Sequence, residues 1–482
     1  MSVHPVFRYV GATLAVVGMA QTLPLAAAHM LGEPERWMFG LSALCAAGAG
    51  ALLIVLTRNA GDITDRDGFS VATFCFVAAA VAGALPYLLG TDMSTFTDAI
   101  FESMSGFTTT GASIVTDYAG LSQSILLWRS LTQWLGGLGI LVFAVVILPA
   151  LGIGGMQIYK REVPGTYSEN IGTRIRNSAR GLWLVYVVLT VLAACALYVL
   201  GMRPLEALNH ALTAVSTGGF STRAASVGAF ASPAIEWTLV VFMLLGGMNF
   251  TLHYRCVMRR GQKAAHLADL EWRWFIAIGT LVSLSLAGYL AAIRHYALPE
   301  AFTKGAFQAV SILTTTGYHS DNYVRWGAFP QLLLLLGMFV GGCTGSTSGG
   351  VKMARVILVF KYIGQEMLRL VHPRAVIHVR LGRIRVNQDM IENIQAYFFL
   401  YLISLAVVTL LIALDNNGFM TSLGTGVSAL SNIGPGFGET GPGAGYAHLS
   451  AYSKWVITVA MLLGRLELMT VFVLFTPAAW RA

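Results

Sequence analysis

The sequence predicts an all-α polytopic membrane protein. Four repeats of span, short helix and span follow an N-terminal two-helix hairpin, about ten transmembrane helices in all. Three observations carry this prediction. Of 482 residues, 56% are hydrophobic and only 11% charged, with a mean hydropathy of +0.67. That is far more apolar surface than a soluble chain of this size needs. Charge-free runs cover 69–91, 130–159, 181–202, 274–293, 326–351 and 396–414, and several exceed the roughly 20 residues that cross a bilayer. Finally, one polar phrase around a glycine, FTTTGAS at 107–113, returns as VSTGGFS at 215–221, TTTGYHS at 314–320 and SNIGPGF at 431–437.

The hairpin comes first, at 1–67, with apolar segments at about 9–31 and 38–57. The first is too long for the apolar stretch of a signal peptide, and a second follows at once. The repeats then run 68–160, 161–262, 263–371 and 391–482, with a linker at 372–390. Anchored on Gly111, Gly218, Gly317 and Gly434, the phrases stand 107, 99 and 117 residues apart. This near-constant period is the mark of one unit copied four times. Each phrase ends a segment too short to span: about 95–107, 204–215, 299–313 and 418–430. Pro204 and Pro299 suit the first turn of a helix. Nine residues before each anchor stands a polar residue: Glu102, Asn209, Gln308 and Thr425.

Charge orients the chain. The loops near Arg58 and Arg66 and at 160–180, 255–273 and 352–385, with Arg8 and Arg481, hold 22 of the 31 Lys and Arg. The basic loops belong in the cytoplasm, and both termini with them. The net charge of +8 therefore reflects topology and no nucleic-acid partner. Cys45, Cys75, Cys195, Cys256 and Cys343 are scattered, and their spacing suggests neither disulfides nor zinc. No cofactor is expected in this chain.

Irregular backbone at membrane depth survives only where protein buries it or a watery cavity adjoins it. Four such loops can meet around one axis as a central pore, the short segments becoming pore helices. Their C-terminal ends, with partial negative charge, then aim at the centre. Glycine lets successive carbonyls face one way, and a ring of oxygens replaces the water shell of a monovalent cation. The candidate filter residues are Thr109, Thr110, Gly111, Ser216, Thr217, Gly218, Thr315, Thr316, Gly317, Asn432, Ile433 and Gly434.

With GGCTGSTSGGVKMAR at 341–355, HPRAV at 372–376 and GRLE at 464–467, these phrases resemble the Trk/Ktr/HKT superfamily of potassium transporters over nearly the whole chain. The N-terminal hairpin points to its Trk-type branch, since the shorter Ktr subunits lack it. The resemblance implies gated, channel-like potassium uptake across the bacterial inner membrane. Glycine in all four phrases implies potassium preference, and the asymmetric fourth phrase implies looser selectivity, with rubidium a good substitute. It also implies a homodimer in membrane lipid on a cytosolic TrkA-like nucleotide-binding ring.

The stretch 341–350 breaks the expected second span of the third repeat, since each glycine costs a helix about 1 kcal/mol relative to alanine. The resemblance implies a gate there: Gly345, Ser346, Thr347, Ser348, Gly349 and Gly350. A kink for tight helix packing is the alternative. Arg465 costs at least about 2.5–3.5 kcal/mol if it faces lipid at mid-depth, so it should face a polar interior. The resemblance places it in the pore below the filter, and a structural ion pair is the alternative. Glu467, two residues on, does not share its helix face. Lys352 and Arg355 follow the loop at the expected cytoplasmic end, where long side chains snorkel. His319, Asp117, Asp321 and Glu439 follow filter phrases, as mouth residues or ordinary surface. AVIHVRLGRIRV at 375–386 alternates around Gly382 like a cytoplasmic β-hairpin. It would make a docking surface for a partner.

Two rival functions are set against these readings. A secondary cation transporter, coupling potassium or sodium to protons or sodium at a midplane site, usually carries inverted repeats, whereas the basic loops here give all four units one orientation. A membrane enzyme is disfavoured, because no H-E-x-x-H or G-x-S-x-G occurs.

Overall fold

The computed structural model describes residues 3–59, 67–90, 93, 95–146, 171–258, 268–375, 378–382 and 384–480. Much of the basic stretches at 160–180 and 255–273, with Arg66 and Arg481, lies outside the described residues. The fold is a helical membrane bundle with one short strand pair. Among the described residues six helices are long and apolar enough to span: Pro5–Leu31, Arg36–Leu56, Asp67–Gly90, Arg180–Val199, Leu270–Ile293 and Gln388–Ala413. Bent pairs form two more, Pro233–Gly247 with Phe250–Cys256 at 99° and Ala451–Arg465 with Leu468–Phe475 at 108°. Gln123–Val146 and Ala328–Val340 stand as the second spans of the first and third repeats.

The four pore helices are Phe96–Phe107, Pro204–Val215, Leu298–Leu313 and Phe419–Ser431. Local chemistry sets their starts. Thr95 Oγ1 accepts a hydrogen bond from Asp98 N at 3.1 Å, a side-chain N-cap. Pro204 and Pro299 occupy the first turn, where a missing N–H costs nothing. Their final turns are buried on every side, as Ala99 through Phe107 shows, whereas the outer spans leave large apolar side chains such as Leu44 and Leu410 exposed, a surface suited to lipid.

Small residues let the hairpin pack closely, as in membrane helix pairs generally. A Cβ on Gly50 would lie 2.6 Å from Ala15 N, and one on Gly18 2.7 Å from Ala47 N. Glu33, in the hairpin turn, accepts from Gln123 N at 2.8 Å and Ser124 N at 3.1 Å. It thereby ties the hairpin to the first repeat. Arg380 pairs with Arg385 and Leu381 with Ile384 in a two-stranded antiparallel turn around Gly382. Val379 and Val386 pack against Leu358, Ile391 and Ile394.

The sequence predicts one broken second span, and the described residues contain three. After Gly247, Met248 turns extended, and Asn249 Oδ1 accepts from Thr251 N at 2.9 Å to start the next helix. After Arg465, Glu467 takes a left-handed φ of 59°. Each of these two breaks needs only two residues, too few to disturb an apolar pattern, whereas the third repeat opens over 341–352.

Candidate functional site

The four phrases meet. A cavity of about 170 Å³ is lined by Gly111, Gly219, Gly317 and Pro435 from the four loops, with Ser113, Ser221 and Tyr446 around its rim. His319 also lines it.

Below this mouth each loop repeats one backbone course. Thr109, Thr217, Thr315 and Asn432 have φ of 52°, 52°, 56° and 54°, and Gly111, Gly219, Gly317 and Gly434 have 82°, 76°, 83° and 102°. The amides between them turn back into their own pore helices, Thr110 N to Ser105 O, Gly218 N to Thr213 O, Thr316 N to Ser311 O and Ile433 N to Ser428 O, at 2.8–3.0 Å. The second anchor is therefore Gly219, and Gly218 stands in the place of Thr110. This corrects the sequence anchor by one residue. It also makes His210, not Asn209, the counterpart of Glu102, Gln308 and Thr425. His210 Nε2 is 3.0 Å from Ser221 Oγ, just as Glu102 Oε1 accepts from Ser113 Oγ at 3.0 Å.

The glycines close a ring. A Cβ on Gly111 would collide with Gly218 O, on Gly219 with Thr316 O and on Gly317 with Ile433 O; on Gly434 it would lie 2.6 Å from Thr110 O. Each loop thus abuts the same carbonyl of the next, and the fourth returns to the first. A side chain at any of these positions displaces a neighbour's backbone. The carbonyls of Thr109, Thr110, Gly111, Thr217, Thr315, Thr316, Gly317, Asn432 and Ile433 accept from no described residue. Unpaired buried carbonyls are rare, and here they are concentrated around one axis.

The repeats are not identical. In the first and third, hydroxyls brace the loop: Thr108 Oγ1 to Thr110 Oγ1 and Thr314 Oγ1 to Thr316 Oγ1, both 2.8 Å. In the second, Gly218 offers no hydroxyl. Gln133 replaces it, donating to Gly218 O at 2.6 Å and accepting from Phe220 N at 3.0 Å. In the fourth, Ser428 Oγ and Tyr446 Oη donate to Gly434 O at 2.9 and 2.5 Å, and Asn432 Nδ2 reaches Thr110 Oγ1 at 3.0 Å. Gln133 and Tyr446 carry no signal in the sequence, because neither lies within a phrase.

The stretch 341–352 lies directly beneath the ring. Thr347 Oγ1 is 3.2 Å from Thr217 Oγ1 and donates to Val215 O at 3.0 Å. Ser348 Oγ donates to Thr314 O at 2.7 Å, and Gly349 N to Thr315 Oγ1 at 2.7 Å. A Cβ on Gly349 would collide with Ser431 O. Three of the four pore-helix ends are therefore covered. Gly345 and Gly350 take φ of 75° and 74°, and Phe250 N donates to Gly345 O at 3.1 Å. Ser346 Oγ donates to Cys343 O at 2.6 Å. Glu271 anchors the far side, accepting from Thr344 N at 2.6 Å, Thr344 Oγ1 at 3.1 Å and Ala354 N at 3.0 Å. Glu271 carries no signal in the sequence, because it looks like an ordinary first-turn acid.

Arg465 is buried and donates to Thr347 O at 2.6 Å and Gly136 O at 3.3 Å. It pairs with no acid among the described residues. Glu467 instead pairs with Arg355 at 2.5 Å, and the Arg355 guanidinium lies 4.2 Å from the Tyr397 ring centre. Arg355 does not snorkel: the bend at Glu467 brings a carboxylate to it. Lys352 Nζ donates to Ser348 O. The acids after the phrases serve locally. Asp117 Oδ1 accepts from Ala119 N and Gly120 N, and Asp321 Oδ2 from Tyr296 Oη and Trp326 Nε1. Glu439 lies 3.9 Å from His448. Among the described residues no group of three or more His, Cys, Asp or Glu could hold a metal ion.

Fold and site together define a multi-pass membrane protein of the pore-loop kind, with four quasi-equivalent loops in one chain. Residues 38–481 match the TrkH description, cation transport protein, and the chain belongs to that family. The Trk system potassium uptake protein TrkH of Halomonas elongata is 37% identical over 100% of both chains, and that of Escherichia coli K12 39% identical over 88% of each. The crystal structure of the potassium transporter TrkH from Vibrio parahaemolyticus matches with a TM-score of 0.92 and 35% identity, covering 100% of both chains.

Proposed function

We propose that this chain takes up potassium across the bacterial inner membrane through a gated, channel-like pore, with both termini in the cytoplasm. The observation that carries this reading is the closed ring of four glycine-centred loops with unpaired carbonyls. Such a ring offers oxygens in place of water to a bare monovalent cation, and it needs no chemistry beyond coordination. Relatives named as potassium uptake proteins support the choice of ion. The filter residues are those of the four phrases, with Gly219 added as the second glycine. The stretch from Gly345 to Gly350, with Arg465, is the gate. It lies across three pore-helix ends and is held by side chains rather than by helix.

In this reading the hairpin 1–67, the repeats 68–160, 161–262, 263–371 and 391–482 and the linker 372–390 are the working parts. The linker and basic loops dock a cytosolic nucleotide-binding partner, and two chains pair in the membrane. The test is rubidium flux into potassium-loaded liposomes holding the purified chain, competed by external potassium or sodium, beside Gly111→Ser. Potassium should compete well and sodium poorly, and the variant should lose that difference. Equal competition by sodium in the wild type sinks the potassium assignment. Where the chain alone is closed, the same assay is run with the cytosolic partner added.

A further inference from the structure

The four interfaces between repeats are braced around the mouth by different chemistry. Between the second and third, Lys304 pairs with Glu236 at 2.7 Å. Between the third and fourth, Tyr323 Oη donates to Gly436 O at 2.8 Å. Between the fourth and first, Lys454 pairs with Asp98 at 2.7 Å. Between the first and second stands Arg129, and its setting differs. Its side chain is 1% exposed and that of its partner Glu102 is 0% exposed, at 2.8 Å. Their remaining bonds go to filter loops. Glu102 accepts from Ser113 Oγ at 3.0 Å and Ile114 N at 2.9 Å, just past Gly111. Arg129 Nη2 donates to Ser113 Oγ at 3.0 Å, and Nη1 to Ser221 O at 3.2 Å, just past Gly219. The Phe220 ring centre lies 4.2 Å from the guanidinium.

A buried ion pair is weak evidence for stability, since desolvation offsets most of its attraction. What it supplies is geometry, because a guanidinium presents several donors in a fixed plane. This pair fixes the outer ends of two adjacent loops to one rigid object. The loops it holds carry Gly111 and Gly219, whose backbones already abut at Gly218 O.

We propose that Glu102 and Arg129 are positioning residues for ion selectivity: they hold the first and second filter loops at the spacing that favours potassium over sodium. The inference rests on the potassium-filter reading above. Neither side chain touches the ion; both act through the backbone at Ser113, Ile114 and Ser221. A looser ring fits a smaller ion, because its oxygens can move inward.

The test separates positioning from mere stabilisation. Thermal unfolding of the purified chain is followed against KCl and against NaCl, at ionic strength held constant with choline chloride. Bound ion raises the midpoint by mass action, so the half-saturating concentrations report relative affinity whether or not the gate opens. Wild type should respond to potassium at lower concentration than to sodium. Arg129→Lys keeps a charge beside Glu102 but loses the planar fork, and Glu102→Gln keeps the shape but loses the charge. Each should shrink the potassium-to-sodium ratio, Arg129→Lys by about tenfold. The comparison variant Asp98→Asn with Lys454→Met removes an ion pair that does not touch a filter loop. It should lower the midpoint and leave the ratio unchanged. The proposal is overturned if both Arg129→Lys and Glu102→Gln keep the wild-type ratio, or if the comparison variant loses it equally. A wild-type ratio of one overturns the filter reading itself, and the proposal with it; Glu102→Gln alone decides if Arg129→Lys does not fold.

Discussion

The second spans of the third and fourth repeats both break beneath the filter, by opposite means. The third gives way over 341–352, where Gly341, Gly345 and Gly350 take left-handed φ of 71–75°. The fourth gives way over Leu466 and Glu467 alone, with a bend of 108°. The glycine break yields a long segment whose backbone carbonyls face other elements. The short break yields two charged side chains on rigid stubs. The two then complete each other: Arg465 donates to Thr347 O, and Glu467 meets Arg355 just after the loop. If the glycine segment is the gate proposed above, it is the part that moves, and the fourth span is the part that latches it.

The first way to break this comparison is Glu467→Gln, which leaves Arg355 buried without its carboxylate. Loss of about 3 kcal/mol of stability is expected in thermal unfolding. The double change Arg355→Met with Glu467→Leu should lose clearly less, because no charge is stranded. Next is Gly349→Val. Its Cβ meets Ser431 O, so the loop must shift from under the ring. Rubidium flux of the chain alone should rise about thirtyfold, equivalent to about 2 kcal/mol; unchanged flux in a folded variant would count against the gate. Arg465→Gln removes the latch and a positive charge near the path. A rise of about tenfold is expected in the same assay, and a fall would make the arginine a structural member only. The smallest effect belongs to Gly345→Ala. A side chain at φ of 75°, with its Cβ 3.1 Å from Asn249 Oδ1, should cost about 1 kcal/mol, seen as a lower thermal midpoint.

Much of this arrangement can be read in the residues. Pro204 and Pro299 mark where pore helices start, and the clustered glycines at 341–350 announce a break that no continuous helix tolerates. What escapes the sequence escapes for physical reasons. In VSTGGFS two adjacent glycines can both take a left-handed φ, and only the neighbouring loop's carbonyl selects Gly219. The breaks at Met248 and Leu466 are too short to interrupt hydropathy. Arg129 looks like any charge near a span end until it meets Glu102, 27 residues earlier. Gln133 matters only because Gly218 lacks the hydroxyl that Thr110 and Thr316 supply.

The central claim is that four glycines, Gly219 among them, close one ring on their neighbours' carbonyls. The most direct measurement is rubidium flux under competition by potassium and by sodium, in Gly219→Ser beside Gly218→Ser. At Gly219 a side chain meets the Thr316 backbone, whereas at Gly218 it meets only the Gln133 side chain and brings the hydroxyl that Thr110 and Thr316 supply in their loops. The account predicts that Gly219→Ser loses preference for potassium and Gly218→Ser largely keeps it. Loss at Gly218 with full preference retained at Gly219 would contradict the ring.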